Sequence, residues 1–431
     1  MSETNEEEIV LQATRTTAGG RLFRLLIGAL ILVSAAAQFA LVPVMPVYAR
    51  RFGLSGFEQG MVLGATGLAT LVVSVPAGTL SDRFGARGIT LAAGLLMALA
   101  TAGQALAGDF PALLAARLAF GAGYGMVWTA GLCWLAGATA GGPPALGGSV
   151  AAAGVGGVAG PAASGALAQT LGLAVPLLAT AVGFVLITAG LAVLRVPPGP
   201  AAPYQASPPG RRGGRRIGQA HRDLAGAVAA VVTAGLSTGV SALLVPAMLH
   251  AAGASSGQIG LAFAAAGITF AVGSALIAAA GRRAVNLPVT CAGMLVLAAA
   301  LTLAVVGTTP LPLIAMLCVT TAARSVLWTV SYPLAASASA SGGAGTGLGA
   351  SVGLLNVIWA ATAVLGPLGA GVAAAHLGAA AAFGLTDAVC AAALALTAAL
   401  TWCGRRPARV VPGSSPTPQK GRTRSPSARP S

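Results

Sequence analysis

Arg117, Arg324 and Asp387 are ionisable side chains that fall well inside apolar stretches of the sequence. A guanidinium keeps its proton out of water and must find an acceptor or a water, so each arginine is a functional candidate, with a structural tie to backbone carbonyls as the alternative reading. Asp387, surrounded by apolar residues, is a candidate proton carrier. The other carboxylates of the apolar region stand at edges: Glu58 and Asp223 at the ends of runs, Asp109 in a connection. His250 and His376 also fall at run ends, where an interfacial role is the plainer one. Arg83 and Asp82 belong to a tight charged turn, Gly78-Thr-Leu-Ser-Asp82-Arg83-Phe84-Gly85-Ala86-Arg87, set between two long apolar runs. An Asp at a membrane boundary costs desolvation energy unless a donor meets it, so this turn implies a specific docking partner.

Aromatic side chains are sparse and paired. Tyr124 and Trp128 share one helical face, as do Trp328 and Tyr332, and with the polar Gln38 and Asn356 they are candidates for lining a cavity that takes an apolar or aromatic ligand. Enzyme chemistry has no foothold in the pattern. The sequence contains no Gly-x-x-x-x-Gly-Lys-Ser/Thr cradle and no nucleophile, base and metal set. Cys133, Cys291, Cys318, Cys390 and Cys403 form no Cys-x-x-Cys and read as packing residues. The expectation is a non-enzyme without cofactor or metal.

The elements that must position these residues are membrane helices. Only 8% of residues are charged while 56% are hydrophobic, far from the roughly one quarter charged of a soluble domain. Apolar runs long enough to span a bilayer lie near 25–47, 58–80, 88–107, 111–136, 146–170, 173–194, 224–249, 258–280, 287–307, 311–336, 346–374 and 379–402. Backbone hydrogen bonding in lipid forces such runs to be helices. The fold class is therefore an all-α membrane protein of twelve transmembrane helices.

Residues 195–222, with paired prolines and four clustered arginines, read as a cytoplasmic linker that separates a six-helix bundle at 21–194 from a second at 223–403. Residues 1–20 form an N-terminal tail, and 404–431, rich in Pro, Ser and Arg, a disordered basic tail. The acidic start lacks the basic leader and cleavage site of a secretory signal, so the first run is read as a retained anchor. The halves repeat: Gly160-Pro161, Gly165 and Leu171-Gly172 recur as Gly366-Pro367, Gly371 and Leu377-Gly378, and Arg117 has a rough counterpart in Arg324. Such duplication implies a pseudo-twofold axis along the membrane normal with a cavity between the halves. The net charge of +15 collects on one side, at Arg83, Arg87, the linker, Arg282, Arg283 and the residues after Arg405, with Arg50 and Arg51 opposite. By the positive-inside rule both termini and the linker are cytoplasmic, and the basic face meets anionic lipid, not nucleic acid.

Taken together these residues resemble the major facilitator superfamily over about 21–403. The resemblance rests on the Gly-x-x-x-Asp-Arg-x-Gly-x-Arg turn at Gly78, Asp82, Arg83, Gly85 and Arg87, the Arg117-Leu-Ala-Phe-Gly121 motif, and a fifth-span pattern of Gly147, Gly156, Gly160-Pro161 and Gly165. That last pattern, with Ser164 in place of a glycine, resembles the one associated with exporters and antiporters. In the family the turn's Asp docks at the start of the eleventh span, so Asp82 would latch the halves in an outward-facing state. Its second-half copy has decayed to Ser274, Ala278, Ala279, Gly281 and Arg283. Pro43-Val-Met-Pro46 resembles the first-span ending of drug and proton antiporters, whose upstream acid is replaced here by Gln38. The resemblance implies a monomeric plasma-membrane exporter of a small lipophilic molecule, working by alternating access with proton antiport. An importer or facilitator is the alternative, and a non-transporting sensor on the same scaffold the reading from another class.

Overall fold

The computed structural model describes residues 3–138, 142–194, 217–306, 309–340 and 348–405. Among these residues the regular structure is entirely helical, and twelve helices are long and apolar enough to cross a membrane. They are α1 (Glu3–Ala40), α2 (Gly56–Phe84), α3 (Ala86–Leu106), α4 (beginning as Phe110–Met126), α5 (Gly142–Leu171), α6 (Ala174–Val193), α7 (Ile217–Ala251), α8 (Ser256–Ala280), α9 (Leu287–Val306), α10 (Pro310–Ala340), α11 (Leu348–Leu377) and α12 (Ala379–Arg405). The fourth continues through a π-helical turn, Val127–Gly131, into Leu132–Ala138. The expected first span is cut short: Pro43 cannot continue the hydrogen-bond ladder, so α1 ends at Ala40 and a separate short helix, Met45–Phe52, follows.

Turn chemistry repeats between the halves. Gly53 and Gly253, with φ of 64° and 90°, each precede a serine that caps the next helix. Ser55 accepts from the Glu58 amide at 3.3 Å while the Glu58 carboxylate accepts from the Ser55 amide at 2.8 Å. Ser255 and Gln258 make the same reciprocal pair. Asp109 caps α4 by accepting from the Ala112 amide at 2.8 Å.

Within the first half α1 packs on α5 and α6, and α4 on α2 and α3; within the second, α7 packs on α10, α11 and α12, and α8 and α9 on α10. Two long seams join the halves, α2 on α11 and α5 on α8. Both are glycine-lined and lie toward the end of the bundle away from the termini, called here the far side. A side chain built on Gly60 would strike Pro367, on Gly371 would strike Gly56, on Gly260 would strike Pro161, and on Gly165 would strike Ser256. Toward the terminus side, Val72 and Val75 of α2 and Leu354 and Val357 of α11 are exposed.

Candidate functional site

Arg117 is 1% exposed, the bulkiest fully buried side chain among those described. Its Nη2 donates to the Gln38 carbonyl at 2.7 Å and to Gln38 Oε1 at 3.3 Å, and Nη1 reaches Gln104 Oε1 at 3.5 Å. The guanidinium also lies 5.1 Å from the Phe120 ring centroid. Its Nε is buried without a partner. The last turn of α1, with its carbonyls left open where Pro43 ends the helix, is where a donor is most useful. Arg117 is thus a tie between α1, α3 and α4 built wholly on neutral acceptors. Both sequence alternatives meet here, since the tie includes a backbone carbonyl. Gln104, 1% exposed, is a member of the site that sequence reading missed. Its only signal was a lone amide in an apolar run.

Arg324 is 7% exposed, and among the described residues its one hydrogen bond is from Nη2 to Thr321 Oγ1 on its own helix. It is not the counterpart of Arg117. Trp128 and Trp328 occupy matching places, as do the seams at Gly60 and Gly260, and this register sets Arg324 opposite Tyr124 and Arg117 opposite Leu317. Arg324 lies about two helical turns deeper from the far side than Arg117 does. On α4 the stripe Arg117, Phe120, Tyr124 and Trp128 holds ring centroids 6.1 Å and 5.9 Å apart. On α10, Trp328 meets Tyr332 at 5.2 Å and Trp359 of α11 at 4.6 Å, and the Tyr332 hydroxyl donates to Asn356 Oδ1 at 2.8 Å. Trp359 joins the second cluster, which sequence reading built from Trp328, Tyr332 and Asn356 alone.

The π-turn sits under Trp128 and has no equivalent at Trp328, where α10 stays regular. Beyond it, Trp134-Leu135-Ala136 aligns with Pro333-Leu334-Ala335, so α4 carries one extra residue. An inserted residue absorbed without breaking the helix is what a π-turn is.

The fifth-span glycines divide by partner. Side chains on Gly156 and Gly160 would strike Leu32 and Ala36 of α1, whereas Gly165 faces α8. Ser164 does more than permit close packing: its hydroxyl donates to the Ala40 carbonyl at 2.6 Å, satisfying one of the open groups at the end of α1. Pro161 lies inside the helix, and its carbonyl faces Gly260. The surroundings of Gly147 fall outside the described residues. The second half repeats the scheme. Gly366 packs on Leu236 and Gly239 of α7, and Gly371 on Gly56 of α2. One polar contact crosses the α5–α8 seam, where Gln169 Oε1 accepts from Ser255 Oγ at 2.9 Å and from the Gly257 amide at 3.2 Å.

The charged turn follows its motif. Gly85 ends α2 at φ 86°, a conformation open to glycine, and Gly281 repeats it at φ 56° although the second copy has lost its acid. Arg87 Nη2 donates to the Ala192 carbonyl at 2.6 Å, closing the last turn of α6. Arg83 is exposed and stacks over Phe84 at 5.3 Å. Gly78 faces Thr129 of the π-turn. Asp82 lies in the last turn of α2, and its side chain is outside the described residues. Asp387 is half-buried on α12, which packs on α9, α7 and α11, and its Oδ1 is buried without a hydrogen-bond partner. The structure leaves it apart from the α4 and α10 stripes. Asp223 is also buried, at 3% exposure, near the terminus-side end of α7.

The family model described as Major Facilitator Superfamily matches residues 27–225, and the fold just described extends through the second half. Residues 27–225, a little under half of this chain, are thus similar to the major facilitator superfamily. It is 35% identical over 99 residues to the arabinose-proton symporter of Bacillus subtilis, a stretch covering 23% of this chain and 21% of that one. It is 31% identical over 86 residues to the quinolone resistance protein NorA of Staphylococcus aureus, 20% of this chain and 22% of that one. The chain thus matches little more than a fifth of either relative's length. Among solved structures, a bacterial homologue of the human lysosomal transporter Spinster, inward-facing and occupied, superposes with a TM-score of 0.70 at 15% identity, covering 88% of this chain and 96% of that one. The human organic anion transporter MFSD10 gives 0.60 at 20% identity, covering 88% and 99%. These superpositions establish the shared fold of a multi-pass membrane protein.

Proposed function

We propose that this protein is a secondary active transporter that moves a small lipophilic organic compound out of the cell by alternating access, with proton antiport as the driving force. The observation that carries the reading is the pair of glycine-lined seams. Each joins the halves at the far side through faces almost without side chains, so the halves can part there without breaking an interlocked core. The basic terminus side is the cytoplasmic one by the positive-inside rule, which makes the described state closed outward and open inward. The inward-facing Spinster homologue supports that assignment. Asp82 belongs to the last turn of α2, at the opposite end from the seams, which supports reading it as the latch of the outward-facing state.

Export is supported by the fifth-span glycines and by the likeness to NorA. Gln38 in place of an acid, and the likeness to an arabinose-proton symporter, favour an importer or facilitator as the second reading. Inside-out vesicles carrying the protein separate the two. Export by antiport predicts that a fluorescent lipophilic dye accumulates when the lumen is acid and stops when an uncoupler collapses the gradient. Accumulation that ignores the gradient would instead make the protein a facilitator.

A further inference from the structure

Arg324 holds a full positive charge in a nearly closed site with one partner, the Thr321 hydroxyl, and among the described residues no carboxylate pairs with it. Arg117, the other arginine of the stripes, likewise has only neutral partners. The two cases differ in one respect. Arg117 spends its donors on three acceptors that join helices. Arg324 spends one within its own helix, and its other nitrogens are not among the sealed, unpartnered atoms, so they open onto accessible space. A guanidinium stays charged, and a buried charge without a counter-ion is costly. A half-buried acid is available on α12, but that helix packs on α7, α9 and α11, away from α10. Asp223 stands near the terminus-side end of α7, well removed along the bundle axis from Arg324.

An aromatic cluster begins one helical turn beyond Arg324 on α10. Trp328 and Tyr332 follow the arginine at successive turns of α10, and Trp359 meets Trp328 edge to face from α11. A planar fork of donors beside edge-to-face rings matches a carboxylate or sulfonate carried on an aromatic body. Resting on the transport reading above, we propose that the substrate is an aromatic organic anion, its acidic group recognised by Arg324 and its ring held by Trp328, Tyr332 and Trp359. Arg117 on α4, in the other half, adds a second positive charge that has only neutral partners, which strengthens the selection against cations.

Three probes of one shape and different charge test this on the purified full-length protein: labelled 1-naphthoate, 1-naphthamide and 1-naphthylmethylammonium in equilibrium binding. Naphthoate should bind at least tenfold more tightly than either analogue. Arg324→Gln should lose that preference while Arg324→Lys keeps part of it, with size-exclusion elution and thermal unfolding confirming that both variants are folded. The wild-type ranking stands whatever the variants do. Equal binding of the three, tighter binding of the ammonium, absence of naphthoate binding, or an unaltered preference in folded Arg324→Gln would each overturn the proposal. Flux of the same probes in proteoliposomes keeps the two readings apart. Naphthoate binding without flux of any probe removes transport and leaves the anion site; ammonium flux without naphthoate binding does the reverse.

Discussion

Adding one methyl group at Gly60 should shift the protein between its two states. A Cβ there would lie 2.9 Å from the Pro367 carbonyl carbon and 3.0 Å from Leu368 Cα. These are backbone atoms of α11, so no rotamer change relieves the clash and the helices must separate. Overpacking of this kind costs about 1–3 kcal/mol. The helix-propensity gain of Ala over Gly, about 1 kcal/mol, acts in both states and cancels. The cost falls only on the state in which α2 and α11 touch, so the far-closed state should lose roughly 5- to 150-fold in population. In a background without the five native cysteines, Leu63→Cys reports this, because Leu63 is buried and stands three residues after Gly60 and four before Gly67, on their side of the helix. Its labelling rate by a membrane-impermeant maleimide should rise in Gly60→Ala. The rise should be smaller in Gly64→Ala, whose Cβ would sit 3.3 Å from Val364 Cα, and absent in Gly369→Ala, which meets nothing within 4 Å. Equal labelling across all three would refute the steric argument and with it the seam as a moving contact.

Other substitutions probe the charged positions. Asp82→Asn should slow turnover by tenfold or more with expression intact, measured as dye flux in vesicles; unchanged flux removes the latch. Arg117→Ala leaves Gln38 and Gln104 acceptors unpaired and should destabilise by about 3 kcal/mol in thermal unfolding, with Arg117→Lys milder because it retains a donor. Equal, small effects would remove Arg117 as the tie. Asp387→Asn should abolish gradient-driven flux if that carboxylate carries the proton, and a preserved response to the gradient excludes it.

The spans were readable because a run of apolar residues long enough to cross lipid has few alternatives, and their ends followed where serine or aspartate caps stood. The exception, at Pro43, came from letting hydropathy run on through a residue that ends the ladder. Glycine spacing marked α5 as a packing helix, but spacing cannot name a partner. That Gly156 and Gly160 serve α1 while Gly165 serves α8 depends on the helix being gripped from two sides. The pairing of Arg117 with Arg324 failed because one charge was matched to another by type. The register carried by Ser55 and Ser255, Gly60 and Gly260, and Trp128 and Trp328 was present in the sequence and would have placed them apart. Gln104 and Gln169 act through long-range hydrogen bonds, which leave no periodic trace.

A reversible bridge across the α5–α8 seam addresses the central claim, that the halves must part at the far side for solute to cross. Ala166 and Leu261 line the same shallow depression from opposite helices, and both are exposed. With cysteine at both positions and no others, a short cleavable bifunctional thiol reagent should stop flux in proteoliposomes, and cleavage of the bridge should restore it. Full flux with the bridge intact would contradict the account.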